Sequence, residues 1–113
     1  MSNLSKAIND VIAERERQIN VKGYSTDHDD QYEGNQLPRT ASGYVDQVVG
    51  RSWVYDDYGP EVYQDDDVPE FWPWDESYWK PKSPREDLVR AAAILIAEIE
   101  RLDRKEPKAD AEG

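Results

Sequence analysis

Cysteine is missing altogether from this chain of 113 residues, and histidine occurs once. Without a thiol there is neither a disulfide framework nor a thiolate metal site. One imidazole and no Gly-x-Ser-x-Gly stretch remove most nucleophilic schemes, and no glycine-rich loop is present to cradle phosphates. Long apolar runs are also lacking. The longest extends from Ala91 to Ala97, far short of the roughly 20 residues a membrane span needs. No basic stretch followed by an apolar one opens the chain, so no leader peptide and no membrane association are expected. Positive charge is scarce: 14 Lys and Arg stand against 25 Asp and Glu, a net charge of −11. Nucleic-acid affinity comes largely from Lys and Arg displacing counterions, so direct nucleic-acid binding is not expected. An acidic surface serves solubility, a basic partner, or mimicry of nucleic acid.

What the chain does have is one strong helix signal near its end. Ser83 is a cap residue, Pro84 suits the first helical position, and Glu86 follows three residues after the serine as in a capping box. Glu86 and Asp87 also suit the positive end of the helix dipole. From Ala91 to Ala97 no polar residue occurs, so this segment is apolar all round. Such a helix is buried on more than one side, under the rest of the fold, in a subunit interface, or both. A homodimer is therefore expected.

Two weaker helices precede it. Leu4, Ala7, Ile8, Val11, Ile12, Arg15 and Ile19 share one face at spacings of three and four, predicting a helix over 4–21 capped by Ser2 or Asn3 and stopped at Gly23. Arg15 stands on that face where an apolar residue belongs, either snorkelling or pointing into a polar pocket. A polar connector, 24–39, carries Asp27, His28, Asp29 and Asp30, with Ser25 or Thr26 placed to cap a short turn. The second helix is predicted over 40–50, with Ala41, Tyr44, Val45, Val48 and Val49 as its face, Thr40 as cap and Gly50 as stop. Gly43 inside it permits close approach of another element.

Residues 52–82 hold every Trp (Trp53, Trp72, Trp74, Trp79), interleaved with Asp and Glu and broken by Pro60, Pro69, Pro73 and Pro81. We expect a long loop there, with a short β-hairpin around Tyr58-Gly59-Pro60 as the ordered alternative. So many aromatics fold onto the helices or serve as binding anchors. Trp72-Pro73-Trp74-Asp75 and Trp79-Lys80-Pro81 set rigid ring faces beside charges, as sites for flat rings do. Two carboxylate groupings have metal-ligand chemistry, Asp27–Asp30 and Glu100-x-x-Asp103. Calcium-loop spacing is absent from the first, and Arg101, Arg104 and Lys105 surround the second, so neither a metal nor another cofactor is expected.

Ala13-Glu14-Arg15-Glu16-Arg17-Gln18, Gly23-Tyr24, His28-Asp29-Asp30, Trp72-Pro73-Trp74, Trp79-Lys80-Pro81 and the stretch from Leu88 to Asp103 together resemble a family of small proteins encoded by tailed phages and prophages. The resemblance spans nearly the whole chain except 52–70, which reads as an acidic insertion, and it implies a phage accessory gene. Glu14-Arg15, Arg17-Gln18, Lys22-Gly23 and the Glu100-x-x-Asp103 pair are also similar to the all-α MazG-like nucleotide pyrophosphohydrolases. The Glu-Glu-x-x-Glu helix of that group has no counterpart here.

The expected protein is mainly α, one helical domain over 1–104 with helices near 4–21, 40–50 and 84–104 packed as a three-helix core under the aromatic and acidic loop 52–82. A disordered tail is expected over 105–113. The first functional expectation is a phage-encoded acidic protein of the host cytoplasm. It would engage and inhibit or modulate a host defence or nucleic-acid-related protein with a basic surface, with nucleic-acid mimicry as one route, through Tyr55, Asp56, Asp57, Tyr58, Asp65, Asp66, Asp67, Trp72, Trp74, Asp75, Glu76 and Trp79. The second, from another class, is a nucleotide-binding or nucleotide-hydrolysing protein whose ligand-facing residues are Arg15, Gln18, His28, Asp29, Asp30 and Lys80. No catalytic residue is assigned.

Overall fold

The last helix organises the structure. In the computed structural model, which describes residues 4–22, 29–32 and 34–105, helix α4 runs from Pro84 to Lys105. Its start follows the sequence signal. The Ser83 hydroxyl oxygen accepts from the Glu86 N–H at 3.1 Å, and the same hydroxyl lies 3.0 Å from the Glu86 carboxylate, to which it donates. Glu86 and Asp87 occupy the first turn and Arg104 and Lys105 the last, each on the favourable end of the dipole.

Helix α1 spans Lys6–Asn20 and is capped by Ser5, whose side chain accepts from the Ile8 N–H at 3.2 Å. Ser2 and Asn3, the expected caps, lie outside the described residues. So do the expected stop Gly23, the Ser25 or Thr26 cap, Asp27, His28 and the tail from 106 onward.

The middle of the chain is where expectation and structure part. Helix α2 runs from Gln36 to Tyr58, far beyond the predicted 40–50. Thr40 is not its cap: the hydroxyl donates to the Gln36 carbonyl at 2.7 Å from inside the helix. Gly50 does not stop it, because the residues beyond still have something to pack on. Gln47 and Val54, two turns apart, are both buried, and the Gln47 side-chain amide donates to the Tyr63 carbonyl at 2.7 Å. Tertiary burial there overrides the alternating aromatics that suggest strands. The hairpin is not formed, and among the described residues there is no strand. Gly59, at φ 89°, instead turns the chain into a short helix α3, Pro60–Gln64, with Pro60 at its first turn. That φ suits glycine, and a missing N–H is harmless at a helix start. A single 3-10 turn, Glu76–Tyr78, follows.

The core is a three-helix arrangement with α4 in the middle. Helices α1 and α2 each pack on α4 but, among the described residues, not on each other. Leu37, Ala41 and Tyr44 of α2 bury themselves against Ala91, Ile94 and Ala97 of α4 together with Trp72. The chain after α3 folds back over α2. A Cβ at Gly43 would lie 3.3 Å from both Pro69 and Trp72, so the close approach expected of Gly43 is made by this returning segment rather than by a helix. The apolar segment Ala91–Ala97 is covered on two sides only: Ala91, Ala93, Ile94 and Ala97 are buried, while Leu95 stays exposed. No helix among the described residues is long and apolar enough to cross a membrane.

One buried carboxylate ties these parts together. Asp87 is fully buried and accepts from the Tyr63 hydroxyl at 2.7 Å, from the Lys82 backbone N–H at 3.0 Å, and from the Arg90 guanidinium. Burial, and then the Asp87 carboxylate beside it, hold the Tyr63 hydroxyl well above the usual phenol range. Arg90 reaches on to the Lys80 carbonyl at 2.8 Å and the Tyr44 hydroxyl at 3.3 Å, with its Cζ 4.2 Å from the centre of the Tyr44 ring. Removing one member of a buried pair strands the other, so Asp87→Ala should cost about 3–5 kcal/mol. Tyr63→Phe, which removes a single hydrogen bond, should cost about 1–2 kcal/mol. Urea melts of both variants would measure this; equal, small losses would show that Asp87 is not the tie described.

Candidate functional site

Because α1 and α2 straddle α4 without meeting, a cleft of about 710 Å³ opens between them, within the roughly 300–1,000 Å³ typical of small-molecule sites. Helix α1 contributes Glu14, Arg15, Arg17 and Gln18, with Lys22 just beyond it. Helix α2 contributes Leu37, Thr40 and Tyr44, and α4 contributes Arg90, Ile94 and Ala97. Asp29 and Tyr32 come from the connector, and Trp72, Trp74, Tyr78, Lys80 and Lys82 from the returning segment.

The charge of this lining opposes that of the chain. Six cationic side chains face two carboxylates in a protein of net charge −11. Both carboxylates are engaged by arginine. Asp29 is fully buried with Arg15 Nη2 3.4 Å away, and the same Nη2 donates to Glu100 Oε1 at 3.0 Å. Glu14 takes both arms of Arg17 at 2.8 Å and the Gln18 amide at 3.0 Å. Burial pushes the Glu14 carboxyl up, but the hydrogen bonds from Arg17 and Gln18 outweigh it and leave it below the ordinary value. Lys22, Lys80 and Lys82 are exposed, and none has a side-chain hydrogen bond or ion pair among the described residues. An ammonium group without a protein partner is available to an anion.

Aromatic faces complete the site. Trp74 and Tyr32 meet edge to face at 5.2 Å, and the Trp74 indole N–H donates to Thr40 Oγ1 at 2.6 Å, which fixes the ring's orientation. Tyr44 is held between neighbours, stacked on Trp79 at 5.2 Å and edge-on to Trp72 at 5.8 Å. Arg90 links this aromatic group to the backbone of Lys80. Cations around rigid ring faces suit a molecule that is both anionic and flat.

Of the residues singled out from sequence, Arg15, Gln18, Asp29, Lys80, Trp72 and Trp74 come together in this cleft. Asp30 lies outside its lining, paired with Arg104 at 2.7 Å, and His28 is outside the described residues. Trp79 packs behind the lining against Tyr44 and Trp72. Asp75 caps the 3-10 turn, its carboxylate accepting from the Ser77 N–H at 2.9 Å, and that bond keeps it below the usual carboxylate range. Glu76 is exposed beside it. Tyr55, Asp56, Asp57 and Tyr58 end α2 and Asp65, Asp66 and Asp67 follow α3; none lines the cleft. Asp66 lies 3.3 Å from Arg51, and Tyr55 packs edge-on to Tyr63 at 5.6 Å. The Glu100-x-x-Asp103 pair is split, Glu100 turning to Arg15. Among the described residues no three carboxylate or imidazole side chains converge as metal ligands would.

Sequence reasoning missed Glu14, Arg17, Lys22, Tyr32, Tyr44, Lys82 and Arg90 as site residues. One signal was available: Arg15, Gln18 and Lys22, spaced three and four apart, place polar groups along one face of α1 and its exit. Searches of family models, curated proteins and solved structures return no match for the chain, so the functional reading rests on the chemistry of the cleft.

A pH prediction follows from Glu14. Its folded pKa lies below the ordinary value of 4.5, so its ion pair contributes stability above that pH and loses it as pH falls through the lower folded value. Arg17 is partly exposed, which keeps the contribution below about 1 kcal/mol. Glu14→Gln should be slightly less stable than the parent at pH 7 and should lose less stability between pH 5 and about pH 3, as read from chemical denaturation at each pH. Parallel curves would place the acid sensitivity elsewhere.

Proposed function

We propose that this protein binds a small anionic ligand bearing a flat ring, with nucleotides the class that fits best. The observation that carries this is the inverted charge of the cleft. A strongly acidic chain gathers Arg15, Arg17, Lys22, Lys80, Lys82 and Arg90 around one cavity and leaves the three lysines without carboxylate partners among the described residues. The three arginines are met by Asp29 and Glu100, by Glu14 and by Asp87, so the local excess is that of the three lysines. Their mutual repulsion raises the energy of the empty protein, and an anion relieves it. Phosphate oxygens take the lysines, while Trp74 and Tyr32 offer ring faces for a base.

Titration calorimetry against nucleoside mono-, di- and triphosphates tests it. We expect saturable binding that weakens with salt and a melting temperature that rises with ligand concentration. Lys80→Glu with Lys82→Glu should abolish binding without lowering helix content. Trp74→Ala should weaken it by about tenfold to a hundredfold, the worth of one stacked base. Absence of binding to every nucleotide by the intact protein would overturn the reading.

A second surface supports engagement of a partner protein with a basic surface. Trp53 and Tyr58 are exposed and meet edge to face at 6.1 Å, beside the exposed Val49 and Val62. Asp56 and Asp57, between Trp53 and Tyr58 in the chain, and Glu61 and Asp65, which follow on and after α3, are exposed and have no side-chain partners among the described residues. Aromatic anchors ringed by carboxylates suit a basic protein surface, the anchors setting dissociation and the charges association. Against a partner recovered by pull-down, neutralising Asp56, Asp57 and Asp65 should slow association and flatten its salt dependence, and Trp53→Ala should speed dissociation. Unchanged rates in both variants would reject this surface.

A further inference from the structure

We infer that a second copy of this chain docks along α4, antiparallel to the first, through the stripe Leu88, Ala92, Leu95, Ile99 and Leu102. The alternating spacing of four and three is that of a helix–helix seam. Within the protomer α1 and α2 cover other sides of α4, and the four large residues of the stripe remain between 40% and 57% exposed. No charge interrupts the stripe in a chain that is 35% charged. The ends of the stripe select the occupant. A basic partner gains no ion pair on an uncharged face. A second copy gains apolar cover and, through Arg85 and Asp103, pairs of opposite charge that offset part of the repulsion between two chains of net charge −11.

The direction follows from the ends of the stripe. Arg85 and Asp103 lie about five turns apart on α4 and therefore share one azimuth at its edge. In a parallel two-fold pair the two edges that carry Arg85 and Asp103 would lie on opposite sides of the seam, out of reach of each other. Antiparallel packing sets Arg85 of each protomer near Asp103 of the other, two symmetric pairs of opposite sign. Leu88 and Leu102 are equally far from Leu95 in sequence, so a two-fold axis at Leu95 brings Leu88 of each copy opposite Leu102 of the other. Asp103 has no ion pair or hydrogen bond among the described residues. Arg85 holds Asp10 at 2.9 Å with about half of its side chain exposed, which leaves donors for a second carboxylate. Arg90, Ile94 and Ala97, which line the cleft, point away from the stripe at 3.6 residues per turn, so dimerisation leaves the cleft open.

Sedimentation equilibrium of the full chain tests the inference. The parent should be a dimer at high micromolar concentration. Leu95→Glu or Ile99→Glu should give monomers with unchanged helix content, since both side chains are exposed in the protomer. Asp103→Arg, which leaves the Arg85–Asp10 pair intact, should raise the dissociation constant by about two- to thirtyfold, the range two surface ion pairs convey. Adding Arg85→Glu should restore it. A monomeric parent, or a dimer indifferent to Leu95→Glu and Ile99→Glu, would overturn the proposal. A dimer indifferent to Asp103→Arg would overturn its antiparallel direction. None of these outcomes bears on nucleotide binding, which is read separately by calorimetry.

Discussion

A single buried carboxylate holds together pieces that have little else in common. Asp87 sits in the first turn of α4 and accepts hydrogen bonds from α3 through Tyr63, from the returning segment through the Lys82 backbone, and from its own helix through Arg90. A buried charge is tolerated only when its acceptor capacity is filled. Filling it here requires that α3, residues 80–82 and α4 occupy fixed relative positions. Arg90, neutralised by Asp87, then extends to Tyr44 and to the Lys80 carbonyl. The tie that secures the long connection between α2 and α4 thereby also sets one side of the cleft.

The cleft exists because α1 and α2 both pack on α4 and not on each other. Small residues on α4, Ala91, Ala93 and Ala97, are buried and allow close approach by neighbouring elements. The gap is polar on the α1 side and aromatic on the α2 side. Arg15 shows how the two demands are reconciled. It stands on the buried face of α1, yet its charge is met by Asp29 and by Glu100, so it closes the end of the cavity rather than filling it with hydrocarbon.

Charge is distributed with the same economy. Carboxylates dominate the end of α2 and the residues after α3, whereas lysines without partners among the described residues cluster at the cleft. Net charge therefore says little about the ligand. A small anion responds to the local field of the groups within a Debye length, about 8 Å at physiological salt. Among the described residues at the cleft, the arginines are paired with carboxylates while Lys22, Lys80 and Lys82 are not.

The residues alone determined that this is a mainly helical protein built on the helix from Pro84, because capping chemistry and apolar periodicity are local and act within a few residues. They also marked Arg15, Gln18, Asp29, Trp72, Trp74 and Lys80 as ligand-facing or binding candidates, each out of place for a simple core or surface. Only tertiary structure decided the rest. It extended α2 to Tyr58 in place of a loop or hairpin, because Val54 is buried and Gln47 gains a hydrogen-bond partner on α3 that no local pattern announces. It separated the acidic residues of 56–67 from Trp72 and Trp74, which sequence proximity had placed in one block. It joined Lys82 and Arg90 to α1's polar face across distances in sequence that periodicity cannot span. Local physics chooses helices; which side chains share a cavity depends on how those helices pack, and that is settled by burial and by the pairing of buried charge.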